Sequence, residues 1–440
     1  MRKPTRHQLT SAPPSPRQTL LALFEEALTA ISAREVLPPF LQRMGGYERT
    51  LVIALGKGAA EMAAVAAERL PGRLNGLVIT RAGHGVSDGR LPSGIRMMEA
   101  GHPVPDAESI AAASEALAMA RALGPKDRLL MLVSGGGSAL MAMPAPGVTL
   151  ADKQLLTQSL LRSGATISEI NCVRKHLSRV KGGRLAVAAA PAKVVTLVIS
   201  DVPGDDPSFV ASGPTVADHT TLADARQVLD RYGVVVPMSV RAALEDAGNE
   251  TPEADSLGIA GGETHIVACA RDALAASARL AESLGYKVTD LGDRLQAEAR
   301  YLGAGHAGLA LRLAADGQAH VIQSGGEATV RVTNPDGCGG RNLEYLLGLA
   351  IVLDGAPGIH AIACDTDGID GTENSAGAII GPDTLARAAA LGLDPHAALQ
   401  RNESYRFFEQ LGDLVVTGPT RTNVNDFRAI LIEARPDIAG

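Results

Sequence analysis

Four short apolar runs, LVIAL (51–55), GLVIT (76–80), RLLMLVS (128–134) and VVTLVIS (194–200), recur through the first half of this chain. A strand that is apolar along its whole length needs cover on both faces, which an antiparallel sheet with one wet side does not give. The stretches between them, TLLALFEEALTAI, GAAEMAAVAAERL, residues 106–122 and the helices that fill 151–188, read as helical. This alternation predicts an α/β fold, a doubly wound parallel sheet with helices on both sides. Pro105 and Asp106 mark the start of the helix over 106–122, as an N1-type proline and a first-turn acid. Aromatics make up only 3% of the chain and Trp is absent, so Ala, Val, Leu and Ile must build the core.

Charge and Pro/Gly density rise through ALEDAGNETPEADSLGIAGG (243–262), and the pattern then restarts with HIVACA, YKVTDLG, HVIQSGG, AIACD (361–365) and DFRAILIE, with helices over 271–284 and near 295–316. The expected division is a lead-in over 1–16, one domain over 17–255 and a smaller one over 256–440. A hairpin-like GGEATVRVTNP points to a mixed sheet in the second. The opening MRKPTRHQLTSAPPSP has no apolar h-region and reads as a disordered lead-in, not a signal peptide. LAVAAAPAKVVTLVIS is interrupted by Pro191 and Lys193 and falls short of the roughly 18 apolar residues of a membrane span. A cytoplasmic protein with no membrane partner is the expectation. A net charge of −7 argues against nucleic acid. Cys172, Cys269, Cys338 and Cys364 form no CxxC pair and read as reduced, mostly buried thiols. The sequence leaves a homo-oligomer open.

Ligands of an open α/β sheet bind at the carboxyl ends of its strands. Strand 51–55 ends in Gly56, Lys57 and Gly58, and strand 129–133 ends in Ser134, Gly135, Gly136, Gly137 and Ser138. Three bare glycines before a helix start suit an anion nest of backbone N–H groups, with Ser138 as a cap or an extra donor. GKGAAE (56–61) begins like the dinucleotide fingerprint, but Glu61 stands where the third glycine belongs. Lys57 at a helix start, and Arg341 after two glycines in CGGRNLE, are cations where the helix dipole disfavours them. Each is explained by a bound anion, and each is expected to be open to solvent without one. The acidic sets SDVPGDD and ACDTDGID supply Asp201, Asp205, Asp206, Asp365, Asp367 and Asp370. Strand-end carboxylates suit a hydrated magnesium, for which Asp365 and Asp367 are the candidates. VRKHLSRVKGGR (173–184) could aim Arg174 and Lys181 at substrate oxyanions or form a wet face. TGPTRTNVND (417–426) offers Thr420, Asn423 and Asn425 as donors. No Walker A motif and no protein-kinase signature is present.

Together and in order, LGKGAAEM, GHPVPD, LVSGGGSAL, INCVRKHLSRVKGGRLA, ISDVPGDDPSFVASGPT, GGET, GGRNLE, ACDTDGIDGT and TGPTRTNVND resemble the glycerate 2-kinases of the MOFRL type. The resemblance runs from about residue 17 onward. It implies ATP- and Mg²⁺-dependent phosphorylation of D-glycerate to 2-phosphoglycerate. It also implies an active-site cleft between a Rossmann-like α/β/α N-terminal domain and a smaller mixed α/β C-terminal domain. The family's functional lysine falls on Lys57, its arginine on Arg341 and the Asp of its SDV motif on Asp201. Arg421 departs from the pattern, which has a small residue, usually Gly, at that place. Two other readings stand beside the kinase: an NAD(P)H-dependent hydroxypyruvate reductase, a label some members carry, and a non-catalytic binder of small anions.

Overall fold

The computed structural model describes residues 14–72, 74–86, 91–256 and 258–435. The expected lead-in lies almost wholly outside them, and a helix begins at Pro16. The chain divides into two compact units. One comprises Ala30–Asp272 with Pro419–Asn425; the other comprises the chain up to Thr29, Ala273–Gly418 and the chain from Asp426 on.

The first unit is built on six strands, β1 (Arg49–Leu55), β2 (Leu74–Arg81), β3 (Ile95–Ala100), β4 (Asp127–Val133), β5 (Lys193–Ile199) and β6 (Glu263–Ala268). They pair in parallel in the order β3-β2-β1-β4-β5-β6. The continuous apolar runs are the central strands. Ile53, Leu55, Ile79, Met131 and Val133 are buried in one core with Ala112, Ala116 and Leu140 from the covering helices. The sequence reading passed over β3. Its residues Arg96 and Met97 are exposed, because it closes the sheet edge and needs apolar contact on fewer sides.

Local signals shift some boundaries. Asp106 is the N-cap of helix Ala107–Arg121, in a capping box with Ser109, so it stands just outside the helix. The region 151–188 is three helices, Leu150–Ser163, Ile167–His176 and Arg184–Ala189, the first two opened by the capping boxes of Thr149 and Thr166.

The second unit holds β7 (Lys287–Asp290), β8 (His320–Ser324), β9 (Ile359–Asp365), β10 (Gly377–Ile380), β11 (Leu414–Val415) and β12 (Asp426–Ile432). Their order is β11-β10-β9-β12-β8-β7, antiparallel except for the parallel pair β7–β8. The sheet is mixed, as expected, but not through a hairpin at 325–335. That segment makes only isolated parallel bridges, Gly326 to Leu295 and Thr329 to Glu298. The mixed character comes from the parallel pairing of β7 with β8, while β12, the last strand, runs antiparallel between β9 and β8.

The expected boundary at 255/256 also differs from the compact units. β6 lies beyond it, yet pairs with β5 and completes the first sheet. Residues 419–425 return to that unit, and the helix opening at Pro16 belongs largely to the other, where Phe24 stacks on Phe427 at 5.6 Å. All four cysteines are free and three are buried. Among the described residues no helix is long and apolar enough to cross a membrane.

Candidate active site

In the parallel sheet, β1 and β4 are neighbours, and the strand order runs outward from them in both directions. Such a switch point leaves a crevice at the carboxyl ends of the two strands. Lys57 follows β1 there and the three glycines follow β4. The two loops are stitched together. Gly56 N–H donates to the Ile79 carbonyl (3.1 Å), Lys57 N–H to the Gly135 carbonyl (2.9 Å) and Gly58 N–H to the Ser134 hydroxyl (2.8 Å). Every amide of the GKG turn is therefore used inside the protein. The amides of Gly135, Gly136 and Gly137 have no intramolecular acceptor among the described residues. Buried backbone donors are nearly always paired, so the buried amides of Gly135 and Gly137, with the partly exposed Gly136 between them, mark a place where something else accepts.

Each glycine of the triplet has its own steric reason. A Cβ at 135 would collide with the Asp201 carboxylate and the Asn423 amide. Gly136 has φ +86° and would bring a Cβ within 3.0 Å of His102 Nε2, and one at 137 would lie 2.6 Å from the Ala211 methyl. The helix that follows, Gly137–Leu140, is a single turn. The nest thus rests on its amides, with little help from a helix dipole.

Asp201 follows β5 and is half-buried. Asn423 Nδ2 donates to its Oδ2 at 3.2 Å, and Asn425 Nδ2 donates to its main-chain carbonyl. These two asparagines, expected as donors to substrate, hold Asp201. Ser134 is fully buried as the acceptor for Gly58, and Ser138 shares a 2.8 Å hydrogen bond with Ser212. Thr420, half-buried, donates to the Thr422 carbonyl at 3.4 Å. Ala211 (φ 51°) and Ser212 (φ 61°) are left-handed beside the triplet, a strain that neither residue type announces in sequence.

The basic run forms no wet face. Lys181 is buried with its Nζ on the Ser138 carbonyl (2.8 Å), and Lys175 is ion-paired with Asp218 at 3.0 Å. Lys153, missed by the sequence reading, donates to the Leu177 carbonyl at the end of helix Ile167–His176. Burial first, then the nearby Arg174 and Arg184, pushes its pKa down to about 7. Burial likewise lowers the Lys181 pKa well below its ordinary value. Arg174, half-buried, has no ion-pair or hydrogen-bond partner for its guanidinium among the described residues. Of the expected basic contacts, Arg174 remains available and Lys181 is engaged.

In the mixed-sheet unit, Arg341 opens helix Arg341–Leu353. Asp365 ends β9 and Asp426 begins β12, paired across the sheet. Arg341 spans them, Nη2 to Asp365 Oδ2 at 2.7 Å and Nε to Asp426 Oδ1 at 2.5 Å. Burial pulls the guanidinium pKa down, but Asp426 and Asp365 outweigh it and hold the pKa well above its ordinary value. Asp426 also pairs with the buried Arg428. The helix start is capped from a distance by Asp370, which accepts from the backbone of Asn342 (3.1 Å) and Leu343 (3.0 Å). Gly340 is glycine because that carboxylate occupies the place of a side chain.

The expectation that Arg341 is solvent-open and calls for an external anion is thus corrected. Its side chain is 23% exposed and the protein supplies two carboxylates of its own. The suggested magnesium ligands are also engaged within the protein. Asp365 is the counter-ion of Arg341 and also accepts from Asp367 N–H (3.0 Å), while Asp367 accepts from Ile369 N–H (2.8 Å). Both are buried, 3% and 1% exposed. Asp365 is already neutralised by Arg341, which leaves it less charge to offer a hydrated Mg²⁺.

Residues 19–245 match a family described as a domain of unknown function (DUF4147), and residues 320–426 match the MOFRL family. A D-glycerate 2-kinase of Thermotoga maritima is 37% identical over 94% of this chain and 98% of its own. A protein of Agrobacterium vitis named as a hydroxypyruvate reductase is 51% identical over 95% of each chain. The crystal structure of a Thermotoga maritima glycerate kinase superposes with a TM-score of 0.83 at 36% identity, covering 94% of this chain and 99% of that one. With its two matched segments, its switch-point loops and relatives aligned nearly end to end, the chain belongs to the MOFRL family of glycerate 2-kinases.

Proposed function

We propose that the protein phosphorylates D-glycerate to 2-phosphoglycerate with ATP as donor. The observation that carries this is the contrast between the two switch-point loops. A dinucleotide enzyme presents the amides of its first glycine turn to a pyrophosphate. Here those amides are consumed by Ile79, Gly135 and Ser134, and Glu61, in place of the third glycine, is ion-paired with Arg34 at 2.8 Å. The unpaired amides belong instead to Gly135–Gly137, with Lys57 alongside, which suits the oxyanions of a phosphate chain.

Phosphoryl transfer asks a protein mainly for positioning and charge stabilisation. Gly135–Gly137 and Lys57 would hold the transferring group. Asp201, oriented by Asn423 and Asn425, would take the proton of the substrate hydroxyl. Arg174, whose guanidinium has no partner among the described residues, is the further cation for substrate oxyanions.

The test is ADP formation with ATP, Mg²⁺ and D-glycerate, run beside NADPH and NADH oxidation with hydroxypyruvate. Glycerate-dependent ADP formation with negligible nicotinamide turnover is expected. ADP release independent of glycerate, or reduction at a comparable rate, overturns the reading. The label carried by the Agrobacterium relative makes the second arm necessary.

A further inference from the structure

Arg421 stands where the family pattern has a small residue, and its backbone is left-handed, φ 64°. Arginine rarely adopts that conformation, and strain of this kind persists where the surroundings hold it in place. Two contacts do so. Nε donates to the Gly85 carbonyl at 2.7 Å, and Nη1 donates to the Pro419 carbonyl at 3.3 Å. The main-chain carbonyl of Arg421 lies 2.8 Å from where a Cβ of Gly58 would stand, so residue 421 rests against the turn that carries Lys57. The guanidinium is half-buried and pairs with no carboxylate among the described residues. Of its five N–H donors, two are used and the rest remain for a ligand, in the fork geometry that suits oxyanions.

Its place along the strand ends says which oxyanion. Gly85 follows β2, Lys57 follows β1, the unpaired amides follow β4 and Asp201 follows β5, which is the order of the sheet. With Asp201 at the accepting hydroxyl and the amides at the transferring group, Arg421 lies on the far side of Lys57, toward the donor. We propose that Arg421 is a nucleotide-binding residue of this chain, contacting the phosphate groups of the donor that stay with the leaving nucleotide. The inference rests on the kinase reading and adds a donor contact to it.

The experiment is a set of three variants, Arg421→Gly, Arg421→Met and Arg421→Lys, each measured for KM toward ATP and toward D-glycerate, for thermal midpoint and for ADP binding by calorimetry. Arg421→Gly removes the guanidinium and relaxes the backbone, so it should melt no earlier than the parent, yet its KM for ATP and Kd for ADP should rise about tenfold. The glycerate KM should stay within about twofold, and lysine should restore part of the nucleotide affinity where methionine restores none. Unchanged nucleotide affinity in Arg421→Gly overturns the proposal and leaves the arginine a clasp onto Gly85. A rise confined to the glycerate KM overturns it in favour of the carboxylate. If the parent forms no ADP with glycerate, the kinase reading has failed, and the calorimetric arm still decides whether Arg421 holds a nucleotide.

Discussion

Lys57 and Arg341 follow glycines at the start of a helix in each half of the molecule, and the two halves treat them differently. Lys57 sits in a turn whose backbone is tied to the neighbouring loop, against the glycine triplet with its unpaired amides. Arg341 is gripped by Asp365 and Asp426, and the start of its helix is capped by Asp370. A cation at a helix start can lie beside an anion-binding loop, as Lys57 does, or be gripped by carboxylates returned from elsewhere in the chain, as Arg341 is.

The largest effect expected from this difference is on stability. Arg341→Met leaves Asp365 and Asp426 facing each other at the sheet end, and breaking a buried pair from one side costs about 3–5 kcal/mol. Chemical denaturation should show that loss together with the loss of turnover, and adding Asp365→Asn should recover part of the stability. If Arg341→Met unfolds like the parent, the carboxylates do not depend on it and the contrast with Lys57 disappears.

Lys57→Met should separate the two properties. Removing a preorganised charge from a phosphoryl-transfer site costs on the order of 10²–10³ in kcat/KM, while a half-buried side chain away from the core changes stability by under about 1 kcal/mol. A variant that loses turnover only in proportion to lost folded protein would place Lys57 with Arg341 as a structural residue.

Lys153 sharpens the comparison, since it is buried on a carbonyl with no carboxylate to meet it among the described residues. Its pKa is about 7 in the folded chain and near 10.5 when unfolded. Between those values the unfolded state binds the extra proton, so this residue makes stability rise with pH, and its full penalty is present below about pH 7. Lys153→Met should therefore be more stable than the parent at pH 6, by about 4 kcal/mol once the lost hydrogen bond to Leu177 is set against the linkage. Most of that advantage should vanish by pH 10. A pH-independent difference in denaturation midpoints would show that Lys153 stays charged through the range.

The legibility of the fold followed the same division between local and returned information. Strands β1, β2, β4 and β5 were plain in sequence because burial on both faces leaves an unbroken apolar run. β3 was not, because an edge strand with exposed Arg96 and Met97 carries no such run. β6 was seen as a strand, but its membership of the first sheet depends on pairing with β5 across a polar segment. Strand ends alone pointed to Lys57, the glycine triplet and a group of six aspartates, from which the family resemblance singled out Asp201. The partners of Arg341 were not, since Asp365 and Asp426 lie 24 and 85 residues further along and only the closing of β9 against β12 brings them together. The left-handed Ala211 and Ser212 carry no sequence signal at all.

The smallest expected effect tests why position 135 carries no side chain. Gly135 is not left-handed, so alanine meets no backbone penalty there. Its methyl group would instead fall on the Asp201 carboxylate and the Asn423 amide, both ends of side chains that can swing aside. The fold should absorb this for under about 1 kcal/mol, in line with substitutions that disturb no buried core packing. Asp201 would then no longer lie where Asn423 holds it, and a displaced proton acceptor costs rate more than affinity. Gly135→Ala should therefore lower kcat by about tenfold, with KM for both substrates nearly unchanged. Asn423→Ala, which frees Asp201 without adding bulk, should lower kcat in the same direction by less. If Gly135→Ala instead raises KM for ATP with kcat intact, the glycine serves the phosphate chain directly and the contact with Asp201 is incidental.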